Sequence, residues 1–350
     1  MLKKRLPLAL KFLVSGLLIW FLFANVDLDA ARERVLDIAT GMVALATAIF
    51  LFQLVIGTLR WQAVLDAIGA PLPFARAVGF FFIGAFFSQT LPSSVGGDAV
   101  RIYKTYRAGL TLGSAVNGVM LERIAAIVAL VALVAATQPL FLPRVGEDTA
   151  GWIGSAAALG VAATVAGMVV LLFLDRPPAS LRGWRLVRGL AQLGADARKV
   201  FLAPRAAGRA LGWGVAGHVN LTLGVYVLAL GLNLEVTWVD CIVLFPPALL
   251  VTTLPISIAG WGVREGAMVA VFALVGVPTD GALVLSILFG LLDALVSLPG
   301  GVAWVLSGDK RADVIAAAPA PGGKRGVSPR QRYAGDAPAA PEDLSGGGEG

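Results

Sequence analysis

The chain has 350 residues, of which 57% are hydrophobic and only 14% charged, with a mean hydropathy of +0.82. Soluble chains carry about 25% charged residues, so water is not the main solvent of this one. Its net charge of +6 is spread in clusters between apolar runs, which argues against a nucleic-acid surface, and a single cysteine (Cys241) and a single histidine (His218) exclude an intrachain disulfide and a Cys/His metal cluster.

Met1-Leu-Lys-Lys-Arg5 opens the sequence and an apolar run over residues 6–24 follows. The run outlasts the 7–15 residues typical of a signal-peptide apolar region and lacks a small-x-small cleavage site, so it reads as a first span. A helix crossing a hydrocarbon core of about 30 Å needs roughly 20 apolar residues. Residues 41–59, 114–138, 151–174 and 210–232 meet that need, and 281–306 does so with Asp293 near its middle. Two further apolar regions, 78–91 and 241–258, end in Pro and Gly clusters that stop a helix within the membrane. The expected fold class is an all-α integral membrane protein with about six full transmembrane helices and two interrupted, re-entrant helical hairpins.

Lysine and arginine in short loops mark the cytoplasmic side. Lys3, Lys4 and Arg5 place the N-terminus there, Lys310 and Arg311 the C-terminus, and the connector 175–209 joins them with Arg176, Arg182, Arg185, Arg188, Arg198, Lys199, Arg205 and Arg209. Residues 139–150 hold Arg144 against Glu147 and Asp148, as an outside loop would. Within the connector, Leu186, Leu190, Leu193, Val200 and Phe201 share a helical stripe opposite Arg185, Arg188, Arg198 and Lys199, the pattern of a helix on the inner leaflet or of purely topogenic charge. The transmembrane domain is thus expected over 1–308, and 309–350, rich in Pro, Gly, Ala and Ser, as a disordered cytoplasmic tail.

An internal repeat ties the two interrupted regions together. Thr90-Leu-Pro-Ser-Ser-Val-Gly-Gly-Asp-Ala-Val-Arg101 aligns without gaps on Thr253-Leu-Pro-Ile-Ser-Ile-Ala-Gly-Trp-Gly-Val-Arg264. Each copy precedes a short helical stretch, a bend near Gly109 or Gly276, and a full span, so the repeat-bearing halves are about 38–138 and 210–308. The charge rule puts the first copy's entry on the cytoplasmic side and the second's outside, which makes the repeat inverted, as in carriers with a site between their halves.

At each break Leu-Pro ends one helix, and Gly96-Gly97-Asp98 or Gly260-Trp261-Gly262 starts another, leaving backbone N–H groups to face an anionic headgroup. Arg101 and Arg264, one turn on, add charge-assisted bonds to a phosphate. A plain alternative stays open, with Asp98 as an N-cap and the arginines snorkelling. Glu122, Arg123 and Asp293 lie within spans, where a lone charge costs about 3 kcal/mol on insertion scales, so each seeks a partner: Glu122 with Arg101 or Arg264, Asp293 with Arg123. His218 reads as an interhelical hydrogen bond, and Arg60, Trp61 and Arg76 as boundary anchors.

Leu91 to Arg101 (Leu-Pro-x-x-x-Gly-Gly-Asp-x-x-Arg), Leu121-Glu122-Arg123, and the second copy through Arg264-Glu265 resemble, in this order, the flippase-like family: the transmembrane region of lysylphosphatidylglycerol synthases and their stand-alone relatives. The resemblance covers roughly residues 3–308. It implies a multi-pass bacterial inner-membrane protein that flips or handles lipids such as aminoacylated phospholipids, glycolipid precursors or hopanoids. The full synthases continue into a soluble aminoacyl-transfer domain where this sequence has its tail, so that activity is not expected. The substrate-binding candidates are Asp98, Arg101, Glu122, Arg123, Arg264 and Glu265, with Gly96, Gly97 and Gly260 at the breaks. The expected partners are membrane lipids, anionic or phosphate-bearing, and lipid or glycolipid biosynthesis enzymes; no cofactor, metal or catalytic residue is assigned. The alternatives are a non-transporting partner of such an enzyme and a membrane-embedded lipid-modifying enzyme working with Asp98, Glu122 and arginines.

Overall fold

The computed structural model describes residues 28–91, 96–142, 147–176, 183–253 and 261–307, which form eleven helices and no strand. In chain order they are α1 Leu28–Leu36, α2 Thr40–Ala67, α3 Phe74–Thr90, α4 Gly96–Arg107, α5 Leu112–Phe141, α6 Glu147–Phe173, α7 Arg185–Phe201, α8 Pro204–Gly231, α9 Trp238–Thr252, α10 Val263–Ala273 and α11 Thr279–Leu306. Five of them, α2, α5, α6, α8 and α11, are long and apolar enough to cross a bilayer. The expected span at 6–24, the tail, the Pro92–Val95 break and Gly260 with the residues before it lie outside the described residues.

The repeat is visible in the backbone. α2-α3-α4-α5 have 28, 17, 12 and 30 residues, and α8-α9-α10-α11 have 28, 15, 11 and 28. Matching helices also end alike. After α2, Ala70 N–H reaches back to Leu65 O with Gly69 left-handed at φ 74°, and after α8, Leu234 N–H reaches Ala229 O with Asn233 at φ 54°. After α4 and α10 the same six-residue closure runs from Leu110 to Thr105 around Gly109 (φ 106°) and from Val277 to Phe272 around Gly276 (φ 78°). These are Schellman caps, whose left-handed position explains the glycines at three of the four bends.

α2 and α8 are the central pair and they run antiparallel. Gly231 lies on Ile38 and Met42, Gly224 on Phe50, Gly217 on Gln53 and Ile56, and Gly214 faces Arg60. The glycines let the two backbones approach where an apolar solvent gives helices little hydrophobic reason to associate. Because these corresponding helices are antiparallel, the second four-helix unit is upside down relative to the first. The units also exchange partners: α3 lies against α11 and α9 against α5. α6 packs on α5 and α7 alone among its larger contacts, and most of its surface faces outward.

The basic connector differs from a helix resting only on the leaflet. Leu193, Ala197 and Val200 are buried against the bundle beside Leu171 and Leu174, while Leu186 and Leu190 stay exposed. Asp196 pins this docked half, accepting from Asn117 Nδ2 of α5 at 2.8 Å, Gln192 Nε2 at 3.2 Å and Lys199 Nζ at 2.7 Å.

Candidate functional site

α4 begins with Gly96-Gly97-Asp98, and the two glycines serve first as packing residues. A methyl group on Gly97 would lie 2.1 Å from Gly84 O, and one on Gly96 would meet Leu91 Cδ1 at 2.6 Å. The short helix is therefore pressed onto α3, and this carries Asp98 and Arg101 into the bundle. Gly97 makes the approach possible, a role distinct from the anion-facing N–H donor expected of it.

Arg101 lies between two aromatic rings, its guanidinium carbon 4.3 Å from the Trp61 centroid and 4.6 Å from that of Phe81. Only 3% of the residue is exposed. Its Nη1 donates to Glu122 Oε2 at 3.0 Å and, more weakly, to Asp98 Oδ1 at 3.4 Å. Nε and Nη2 are buried with no hydrogen-bond partner among the described residues. A stacked guanidinium with spare N–H groups is a site built for an acceptor that is not part of the chain.

Glu122, on α5 and 1% exposed, is clasped from its other side by Arg60, whose Nε donates to Oε1 at 2.8 Å and whose Nη2 makes a second, shorter contact. Arg60 is thus no boundary anchor: α2 continues to Ala67, so its guanidinium lies inside the bundle. Arg123, half-exposed, turns to Asp98, with Nε to Oδ2 at 3.0 Å and Nη2 to Oδ1 at 3.0 Å. Three arginines and two carboxylates make one connected network carrying an excess positive charge, and Arg101 is its member whose unpartnered N–H groups are buried.

The second copy is built differently. With α5 and α11 aligned at their starts, Leu112 and Thr279, Glu122 falls on Phe289, a ring 5.6 Å from the Arg264 guanidinium carbon. Arg264 takes its acid from the next residue instead, donating from Nη2 to Glu265 Oε1 at 2.5 Å, and it stacks on Trp261 at 4.7 Å. Glu265 Oε2 also accepts Gly262 N–H at 2.6 Å and so closes the first turn of α10. Arg264 and Glu265 are therefore a self-satisfied pair lying across Gly290 of α11.

A cavity of about 160 Å³ opens between α3, α4, α5 and α11, lined by Phe81, Ser88, Gln89, Arg101, Arg123 and Asp293 among others. It has room for several waters or a small polar group, since one water needs about 10–15 Å³. Asp293 faces Gln89, whose Nε2 makes a short bond to Oδ2, and does not pair with Arg123. The structure thus brings Arg101, Arg123, Asp98 and Glu122 together, leaves Arg264 and Glu265 beside Asp293 but outside the cavity wall, and adds Arg60, Trp61 and Gln89. His218 Nε2 bonds to Ala126 O at 2.9 Å, joining α8 to α5. Among the described residues no cluster of three His, Cys, Asp or Glu side chains is placed to hold a metal.

No curated protein matches the chain. A family model described as "Lysylphosphatidylglycerol synthase TM region" matches residues 8–300.

Proposed function

We propose that this chain, which belongs to the lysylphosphatidylglycerol synthase transmembrane-region family, carries a lipid with a phosphate-bearing headgroup across the membrane it spans and does so as a carrier, without catalysis. The observation that carries the reading is Arg101: a buried, ring-stacked cation with two unpartnered N–H positions on the wall of a cavity between inverted helical units. A phosphate oxygen accepts charge-assisted bonds of the kind Arg101 has to spare, and its charge offsets the excess of the arginine network. The cavity is sized for a headgroup, leaving acyl chains to the surrounding lipid. Two inverted units support alternating access, because each of two arrangements, related by a pseudo-two-fold axis in the membrane plane, opens the same site to one side. The reading extends to the bacterial inner membrane with both termini cytoplasmic, on the strength of the lysine and arginine pattern.

The test is reconstitution of the purified protein in vesicles with fluorescent lipids that differ only in headgroup charge, followed by protection from an external quencher. Anionic lipid is expected to move several-fold faster than neutral lipid, and Arg101→Gln to remove that difference. Equal movement of all headgroups would indicate non-specific scrambling, and no movement would leave a role as a partner of a lipid-synthesising enzyme.

A further inference from the structure

The cavity has a second chemical end. Asp293 is the fifteenth of the 28 residues of α11, close to the middle of a membrane-crossing helix. It lines the same cavity as Arg101 and does so from the other helical unit. Its one hydrogen bond among the described residues comes from Gln89, a neutral amide. The charged groups on the neighbouring elements are engaged elsewhere or lie away from Asp293, with Arg101 and Arg123 the two that share its cavity. Arg264 of α10 holds Glu265 and reaches Asp293 only through space. Arg123 of α5 holds Asp98, Arg60 of α2 holds Glu122, Arg34 of α1 holds Asp280, and His218 of α8 holds Ala126 O. On α3, Gln89 is the residue presented, while Arg76 sits at the other end of that helix. On α4, Arg101 faces the cavity and Lys104 reaches Ser307.

We propose that Asp293 is a proton-binding site linked to the anion site: when a phosphodiester docks on Arg101, one proton enters and Asp293 becomes a neutral carboxylic acid. The inference rests on the anion-site reading above. An unpaired carboxylate near the bilayer centre is expensive; Arg264 offsets part of that expense through space, and the excess positive charge of the arginine network lining the same cavity adds a field of the same sign. A bound phosphodiester cancels that field and adds a negative charge beside the carboxylate. Protonation of one carboxylate oxygen restores neutrality, with the proton supplied by the buffer acid in bulk solution and passed in through cavity water, so that an O–H bond forms on Asp293 as the acid's own bond to hydrogen breaks. Gln89 suits both states, since its Nε2–H donates to the carboxylate and, with the amide turned over, its Oε1 accepts from the acid. A lysine or arginine there would have fixed Asp293 as an anion. Linkage makes the effect reciprocal, so low pH strengthens anion binding by as much as about tenfold per pH unit, the limit for one coupled proton. Proton movement would then drive or limit transport of the lipid.

The experiment is calorimetric titration of the full chain in uncharged detergent, in two buffers of different ionisation heat, with short-chain phosphatidylglycerol and with dimethyl phosphate as probes. Neither probe titrates near neutral pH, and together they distinguish a lipid headgroup from a free phosphodiester. Close to one proton taken up per bound probe is expected with either, falling to near zero in Asp293→Asn while binding persists. An infrared difference spectrum of the unsubstituted protein should gain a protonated-carboxyl band on probe addition, which covers the case of a variant that does not fold. Binding without proton uptake, uptake undiminished in Asp293→Asn, absence of the new band, or a requirement for sodium would overturn the proton linkage and leave the anion site standing. No binding of either probe would overturn the anion site, and the linkage with it.

Discussion

Glu122 shows how a buried ion network holds its cavity-facing member in place. Its two oxygens are divided, Oε1 to Arg60 and Oε2 to Arg101, so neutralising it leaves two buried guanidiniums with only the longer Asp98 contact to Arg101 as counter-charge. Glu122→Gln is expected to cost about 3–5 kcal/mol, the usual result of removing one partner from a buried pair, and thermal melting in detergent measures it. Asp98→Asn is a milder change, because Arg123 is half-exposed and recovers water when released. That variant should insert and melt within about 1 kcal/mol of the parent, as surface pairs do, yet transport poorly, since Arg123 is then free to swing across the cavity. Loss of the Asp98→Asn protein from the membrane would instead make Asp98 a folding residue. The sequence narrowed the partner of Glu122 to Arg101 or Arg264, each on a helix start beside a break, and the structure selects Arg101. Arg60 was not: the apolar run stops at residue 59, whereas the helix runs on to Ala67 because Trp61, Val64 and Leu65 are also core.

Among elements, the α2–α8 contact is set by glycines whose missing side chains are filled by the partner helix. A methyl group on Gly224 would stand 2.2 Å from Phe50 Cε1, and Phe50 cannot retreat because its ring is held edge-on to Phe289 at 5.4 Å. Gly224→Ala should therefore destabilise by about 1–3 kcal/mol, the range for overpacking. On the same helix Gly208 has nothing within 4 Å, and Gly208→Ala should stabilise by roughly 0.5–1 kcal/mol through helix propensity alone. Opposite shifts in melting temperature are the expected readout, and equal shifts would show that the interface is looser than the structure has it. The docking of α7 is likewise specific. Burial raises the Asp196 carboxyl, but hydrogen bonds from Lys199, Asn117 and Gln192 outweigh it and hold the group below its ordinary value of 3.8. A depressed carboxyl stabilises the fold above its unfolded value and ceases to do so as pH falls through the folded one. Release of α7, followed by proteolysis near Arg185 and Arg188, should therefore begin only below about pH 4, while Asp196→Ala should show it at neutral pH. The connector's amphipathic stripe was legible, but not its docking, because Asp196 and Asn117 are far apart in the chain.

At the scale of the molecule, the aligned Leu-Pro breaks were enough to find the repeat, since two helices interrupted at matching places demand matching spans around them. The unequal chemistry of the two halves was hidden, because the alignment put Arg264 on Arg101 while the residue facing it changed from Glu122 to Phe289. What the fold adds is direction. α2 and α8 correspond and run antiparallel, so any pair of corresponding residues at the ends of spans should lie on opposite faces of the membrane. Leu112 and Thr279 are such a pair, each exposed at the first residue of α5 or α11. Cys241 is buried, and replacing it with serine removes background reaction. In that setting Leu112→Cys should react with an impermeant maleimide from the cytoplasmic side and Thr279→Cys from the other, as scored on right-side-out and inverted vesicles. The side of each is set by the basic residues of α4 and the 185–209 segment, which hold their ends of the bundle inside. Reaction of both from one face would mean that the helices correspond in length and capping without inversion. The cavity would then belong to a single unit, and a carrier cycle built on exchanging the two arrangements would lose its basis.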